Sequence, residues 1–497
     1  MGTRCLKTFI EKNCPGGTLS VNISDRVDEI IKESGKNEAS LAIDANSYLI
    51  EWYIQADDNY GFYGGQWKDY QITLQKFITD CSKLNLKLVF IFDGTLEVSK
   101  KTVWYNRAKE GIRITERVFS LIEKGVFQDE YEYLTGPPGL SYFTGYILSN
   151  LGQTVIYTDG DADYDIMKFA VETPDCIGVV ANDTDYLAYP GSKPVFIPEY
   201  FDPVNNKALM WNKPALLKKL RLEEEDMPVF ACLMGNDTTA EYTDELIQFK
   251  KKLRGEWNQS VAKALNIFKR RNGYNLKMLQ NQVIPQCKEL IFSSVVRSYI
   301  LPTQMSPWIQ GDNGAIGNQS AKMNKFQCSE QYLAKVKFRN HEIYRLLKFG
   351  SNYGLLAWEN GIYEFQFVVY RYIRERLYGI ILNEINSENK VVEELIGYTF
   401  NRDVEFIHPI PVLYKRKQVK LELLWEPDFP RYEKILVFEQ CLGLPGHFDA
   451  VNEVDPNLPE CLIILSYLLC YMAQKMTKLT KHDMACIIEC AIWCNDV

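Results

Sequence analysis

Seven aspartates fall where carboxylate chemistry could be assembled: Asp44, Asp93, Asp161, Asp163, Asp183, Asp185 and Asp237. Asp44 closes the apolar run at residues 41–43, and Asp93 closes the run at 87–92. Asp161 and Asp163 open an amphipathic stretch. Asp183 and Asp185 follow the run at 177–181, and Asp237 ends the segment LMGND. Each could by itself cap a turn or a helix. Taken together, several element boundaries carry an acid on one expected edge, which argues for a shared pocket. Carboxylates so gathered repel one another; either several are protonated or divalent cations neutralise them. An all-oxygen donor set selects Mg²⁺ or Mn²⁺. Two such ions about 4 Å apart activate water and stabilise the attacking and leaving oxygens of a phosphodiester. The D-x-D spacing at 161/163 and 183/185 offers two ligands from one short segment.

A cationic stretch follows Asp93: Lys100, Lys101, Arg107, Lys109, Arg113 and Arg117, the last three recurring every four residues on one helical face. Such a face can be plainly solvated or can guide a nucleic-acid strand across a metal pocket, and Trp104 and Tyr105 suit stacking on bases or core packing equally. Two further basic runs, 250–252 with Arg254 and 269–271, and 415–417 with Lys420, suit phosphate contact or plain solvation equally.

The elements that must position these residues can be read from the apolar pattern. Short β-rich runs at 41–43, 87–92, 154–157, 177–181 and 194–197 read as strands buried on both faces of a parallel sheet. Between them, residues 70–84, 101–124, 141–151 and 163–172 read as helices. This alternation predicts a doubly wound α/β domain, whose ligands bind beyond the carboxyl ends of the strands. Past residue 203 the pattern turns helical at 214–222, 227–234, 242–254 and 260–271. A Gly/Asn/Gln-rich stretch at 309–325 reads as a loop or linker. Beyond it lie an amphipathic stretch at 365–385, a strand at 418–425 and a final helical region. The expected division is a nuclease-like core at 1–225, a helical extension at 226–308, the linker, and a mostly helical C-terminal domain at 326–497.

Composition bounds the rest. The 497 residues are 46% hydrophobic and 24% charged, with a net charge of −8, so a generally cationic nucleic-acid coat is excluded and any phosphate-binding surface is local. The 4 histidines form no zinc motif, and the 13 cysteines include no CxxC pair, which suggests free thiols in a reducing compartment. Cys486, Cys490 and Cys494 read as one buried helical stripe, with a metal site as the alternative. No apolar signal segment opens the sequence, and the apolar stretch at 461–472 is shorter than the roughly 20 residues of a membrane span. A nuclear or cytoplasmic protein, neither secreted nor membrane-bound, is expected.

Several of these segments resemble the flap endonuclease (XPG-like) superfamily, whose fold is related to PIN domains. LAIDANSYL and LVFIFDG resemble its first two catalytic strands, with Asp44 and Asp93 as metal ligands. GDADYDI resembles its E-x-E element, with Asp161 and Asp163 replacing glutamates; ANDTDYLAY resembles its D-x-D element, and LMGNDTT the element supplying a last acid, Asp237. Lys100 and Arg107 stand where that family has a Lys and an Arg on its arch helix, and Gly2 matches its amino terminus. After Asp237 the chain lacks that family's Gly-x-Gly turn of the duplex-gripping element; residues 241–255 are polar and lysine-rich. Phe9-Ile10-Glu11-Lys12, Cys14-Pro15 and Gly64-Gly65-Gln66-Trp67 resemble the constitutive coactivator of PPAR-gamma-like family. The better-known members of that family look degraded at metal-binding positions and are regarded as RNA-binding or coactivator scaffolds. This sequence keeps the acids.

The resemblance implies a PIN-like fold and a two-metal, Mg²⁺- or Mn²⁺-dependent nuclease acting on DNA or RNA. Asp44, Asp93, Asp161, Asp163, Asp183 and Asp185 would be its catalytic ligands, Asp237 a further ligand, and Lys100 and Arg107 its phosphate contacts. Gly2, Lys101, Lys109, Arg113 and Arg117 would touch nucleic acid, and the C-terminal region would engage a protein. The alternative is a non-catalytic RNA-binding or coactivator scaffold on the same fold.

Overall fold

A computed structural model describes residues 3–56, 67–95, 101–125, 139–287, 289–301, 304, 306–309, 324–353, 366–383, 385, 390–395, 404–447, 449, 460–476 and 479–487. The chain divides into two compact units, Met1–Trp104 with Gly139–Ala321, and Tyr105–Pro138 with Lys322–Val497.

The first unit is an α/β fold built on a seven-stranded sheet of order β1-β7-β6-β5-β2-β3-β4. Its strands are β1 (Thr18–Asn22), β2 (Ala39–Asp44), β3 (Leu86–Phe92), β4 (Thr154–Tyr157), β5 (Cys176–Val180), β6 (Val195–Phe196) and β7 (Lys207–Trp211). The neighbours from β6 through β4 pair in parallel. The strands β7 and β1 close one edge antiparallel. The expected mainly parallel, doubly wound sheet is thus present, with all five expected strands in it.

Side-chain alternation explains why the sheet is covered on both faces. Along β2 and β3, Ala42, Val89 and Ile91 enter one core, with Phe9 and Ile10 from the helix Leu6–Asn13 and Ile166 and Met167 from the helix Asp163–Glu172. Leu41, Ile43, Leu88 and Phe90 enter the other, with Tyr48 and Trp52 from the helix Ala45–Ala56 and Tyr70 and Leu74 from the helix Trp67–Lys83. Burial on both faces is what makes these runs continuously apolar. The helix Met227–Met234 is buried at all eight positions, so its sequence carries no polar stripe. Helices Ile23–Ser34, Leu140–Asn150, Lys213–Leu220, Thr243–Lys252, Trp257–Asn272, Leu276–Val283 and Ile291–Ser298 also belong to the unit.

The second unit holds β8 (Ser351–Tyr353), β9 (Val392–Leu395) and β10 (Val404–Ile407) in a three-stranded sheet of order β10-β9-β8, and β11 (Leu413–Tyr414) and β12 (Lys417–Gln418) in a two-stranded hairpin. Buried Glu394 on β9 (Val392–Leu395) accepts two hydrogen bonds from Arg374 and one from the Tyr378 hydroxyl. The strand expected at 418–425 is not one. Lys417–Gln418 ends the hairpin, and Leu421–Trp425 is a short helix. The alternation of Val419, Leu421 and Leu423 has the period of a strand, but Val419 and Leu421 are buried in one core on either side of the helix start. The ten cysteines whose side chains are described are free thiols. No described helix is long and apolar enough to cross a membrane.

Candidate active site

The parallel strands β5, β2, β3 and β4 are neighbours in that order, so their carboxyl ends share one edge. Chain order reverses between β2 and β5, and the crevice at such a switch point is where open α/β sheets take ligands. Asp44 is the last residue of β2, and Asp93 follows β3 directly. Asp161 and Asp163 lie on the connection leaving β4, and Asp183 and Asp185 on the one leaving β5.

Hydrogen bonds, some within a turn and some between distant segments, hold five of these carboxylates. Asp44 accepts from the Ser47 amide (3.2 Å), the Ser47 hydroxyl (2.5 Å) and the Tyr186 hydroxyl (3.2 Å). Asp93 accepts from Asn46 Nδ2 (2.7 Å) and from the Ala162 amide (2.9 Å). The second contact seats the β3 acid on the backbone between Asp161 and Asp163. Asp161 accepts from the Asp163 amide at 3.1 Å, and Asp183 from the Asp185 amide at 2.8 Å. Thr3 donates its hydroxyl to Asp185 at 2.7 Å, which ties the start of the chain into the cluster. Gly94 lets the chain leave β3 close to its neighbour: a Cβ there would lie 2.0 Å from the Thr158 carbonyl oxygen.

The electrostatics record the crowding. Burial, then the charge of Asp93, push Asp44 up to about 7 against its hydrogen bonds from Ser47 and Tyr186. Burial and the adjoining Asp185 raise Asp183 well above the usual carboxylate range. The Tyr186 hydroxyl is raised by burial and then by Asp163, Asp44 and Asp183; Tyr189 is raised by burial and then by Asp163, Asp161, Asp185 and Asp183. Buried Tyr186 feels acids from the β2, β4 and β5 ends at once, and Tyr189 feels those from the β4 and β5 ends. The sequence reading missed them, as it missed Asn46, Ser47 and Thr3. In NDTDYLAY the two tyrosines look like an ordinary apolar tail.

A hard divalent cation fits this donor set in type, and it would relieve the repulsion that burial imposes. As they stand, no three His, Cys, Asp or Glu among the described residues are disposed to hold a metal ion. Asp44, Asp93, Asp161, Asp183 and Asp185 each accept from a donor of the chain, and an ion would share their oxygens with those donors.

Asp237 is half-buried in the turn after the helix Met227–Met234; Arg4 donates its amide to Gly235 O at 3.0 Å in the same turn. Gly2 and Lys100 lie outside the described residues, as do the side chains of Lys101 and Lys109. Arg107, Arg113 and Arg117 are exposed on the helix Lys101–Glu123, which belongs to the second unit from Tyr105 onward. Of the later basic runs, part is structural. Lys250 is 1% exposed and donates to Met234 O at 2.6 Å, and Lys269 pairs with buried Asp226. Lys251, Lys252, Arg270 and Arg271 remain exposed. Lys415 and Arg416 form the tip of the β11–β12 hairpin. Cys490 and Cys494 lie outside the described residues.

No family model matches the chain. Among curated proteins it is similar to the constitutive coactivator of peroxisome proliferator-activated receptor gamma of Mus musculus, at 28% identity over 342 residues, covering 67% of this chain and 43% of that protein. The Bos taurus protein of that name is 29% identical over 318 residues, covering 62% of this chain and 45% of the relative. The constitutive coactivator of PPAR-gamma-like protein 1 of Homo sapiens is 24% identical over 255 residues, or 48% of this chain and 22% of that protein. These relatives carry the name of the coactivator family that the sequence resembles. The chain spans less than half the length of each of them. Among solved structures it is similar to the catalytic core of Rad2 in complex with DNA substrate, with a TM-score of 0.33, 14% identity and coverage of 69% of this chain and 98% of that one. Human GEN1 in complex with Holliday junction DNA gives a TM-score of 0.35 and 15% identity over 91% of this chain and 98% of that one. Overlaps this loose bear on neither activity nor substrate.

Proposed function

We propose that the first unit is a divalent-metal-dependent phosphodiesterase acting on DNA or RNA. The supporting observation is the convergence of carboxylates from adjacent strand ends into a crowded site where burial and mutual charge raise Asp44 and Asp183. Asp44, Asp93, Asp161, Asp163, Asp183 and Asp185 would hold Mg²⁺ or Mn²⁺, with Asp237 at the margin. Ions held there would supply Lewis-acid activation of water and charge neutralisation at the departing oxygen. The chain's own residues keep the carboxylates in place: Ser47 and Tyr186 on Asp44, Asn46 and the Ala162 amide on Asp93, Thr3 on Asp185. Lys100 and Arg107, by resemblance, would contact the phosphate being cut.

The test is cleavage of labelled single-stranded and flapped DNA and RNA across Mg²⁺ and Mn²⁺ titrations. Wild type should cut at least one substrate, and Asp93→Asn or Asp183→Asn should abolish cutting while the circular dichroism spectrum is unchanged. Wild type inert on every substrate favours a non-catalytic RNA-binding or coactivator scaffold, whose coactivator half the relatives' names support.

A further inference from the structure

The helix Leu140–Asn150 buries Leu140, Thr144, Ile147 and Leu148, and its Gly145 packs so closely that a Cβ there would lie 1.9 Å from the Tyr157 hydroxyl. Tyr157 is itself stacked on Phe92, with ring centroids 5.1 Å apart, so the helix is seated firmly on the sheet. Its outer side carries three aromatic rings: Tyr142 is 45% exposed, Phe143 41% and Tyr146 59%. Phe143 leans on Trp67 at 4.5 Å, and Tyr142 meets Phe143 edge-on at 5.9 Å. Fixed, exposed aromatic clusters of this kind mark interaction surfaces.

We propose that Tyr142, Phe143 and Tyr146 form a stacking shelf for unpaired bases of a single nucleic-acid strand whose backbone lies at the carboxylate site. The proposal rests on the phosphodiesterase reading for the identity of the ligand. Continuity with that site is the argument for this occupant. Ser141, next to Tyr142, donates its hydroxyl to Asn46 Oδ1 at 3.0 Å, and Asn46 Nδ2 holds Asp93 Oδ2 at 2.7 Å. The shelf therefore begins two hydrogen bonds from a carboxylate at the centre of the cluster. Flat rings accept any base, because every base has a π-face. They also supply affinity that needs no local cation, which suits a chain of net charge −8.

The experiment uses the full chain in EDTA, so that binding is read without cleavage. Fluorescence anisotropy follows a dT 15-mer, a U 15-mer and an abasic strand of equal length; a 2-aminopurine in the first two reports stacking. Wild type should bind the base-bearing strands more tightly than the abasic strand and quench 2-aminopurine. The Tyr142→Ala, Tyr146→Ala double variant should lose on the order of 10- to 100-fold in affinity for base-bearing strands. It should bind the abasic strand as wild type does, and the corresponding double change to Phe should restore both affinity and quenching. The dT and U arms tell whether the strand is DNA, RNA or either. Equal binding of abasic and base-bearing strands, no binding of any strand, or no effect of the alanines overturns the shelf. So does a dimer on size exclusion that the alanines dissociate while strand binding is unchanged, since the rings would then meet a second copy. Asp93→Asn should leave quenching intact. Cleavage that survives Asp93→Asn sinks the phosphodiesterase reading alone, and quenching that survives the alanines sinks the shelf alone.

Discussion

Asp175 shows at the scale of one residue how the sheet is held at the end away from the carboxylates. Its backbone carbonyl accepts from the Ser40 amide at 2.8 Å, and its carboxylate accepts from the Ser40 hydroxyl (2.7 Å) and from Lys36 (2.5 Å). Burial raises this carboxyl, but the hydrogen bonds from Lys36 and Ser40 outweigh it and hold it below its ordinary value. A carboxyl depressed in the folded state stabilises above its unfolded pKa of about 3.9, and the contribution is lost as pH falls through the folded value. Asp175→Asn should therefore cost about 1.5–3 kcal/mol at neutral pH. The gap to wild type in urea melts should narrow below about pH 4. An equal gap at all pH values would mean that the charge is not what holds the junction. Asp175 and the clustered aspartates differ in how readable they are. Asp44, Asp93 and Asp183 were legible because each lies at the end of an apolar run, Asp44 and Asp93 directly after it and Asp183 one residue further on. Nothing in the sequence pairs Asp175 with Ser40, or Tyr186 with Asp44, because those contacts join elements 135 and 142 residues apart.

At the scale of elements, the same physics explains which strands could be read. The central parallel strands are apolar on both faces, and all of them stand out in the sequence. The edge strand β1 shows a mostly exposed pattern, and β7 pairs with it antiparallel. Neither needs a continuous apolar run, so neither was expected. The helix ends are readable only in part: Lys250 sits in a lysine run that looks solvated, yet it caps the buried helix Met227–Met234 and lies over Trp257 at 5.1 Å. Lys250→Met keeps the stem and removes the donor, so it should destabilise by about 1–3 kcal/mol. Lys251→Met and Lys252→Met, on exposed positions, should stay within about 0.5 kcal/mol of wild type. Chemical denaturation of the three variants separates the two kinds of lysine. The β3 exit is equally intolerant. Gly94→Ala would drive a methyl into the Thr158 carbonyl and should cost about 1–3 kcal/mol or more. A variant with unchanged stability would show that the β3–β4 exit can open without strain.

At the scale of the whole molecule, the proposed function requires a chain of net charge −8 to hold a polyanion. Its exposed cations must act locally, and the helix Lys101–Glu123 concentrates several of them. Arg107, Arg113 and Arg117 are exposed there, and Arg113 is engaged only by an exposed pair with Glu110 at 3.3 Å among the ion pairs described for it. An exposed pair of that kind contributes little and yields readily to a phosphate. Each phosphate neutralised on a single strand contributes about 0.7 to the slope of log affinity against log salt. The Arg113→Ala, Arg117→Ala double variant should then flatten the slope by about 1.4 and leave the single-turnover rate at saturating protein unchanged. Lys100→Ala with Arg107→Ala should do the reverse. Contacts that strengthen as charge develops on the phosphate lower the rate more than the affinity. Binding curves from low to high salt, paired with single-turnover cleavage for each variant, decide the matter. If both pairs lower affinity alike and leave the saturated rate untouched, the helix is a cationic track, and the role that resemblance gives to Lys100 and Arg107 is wrong.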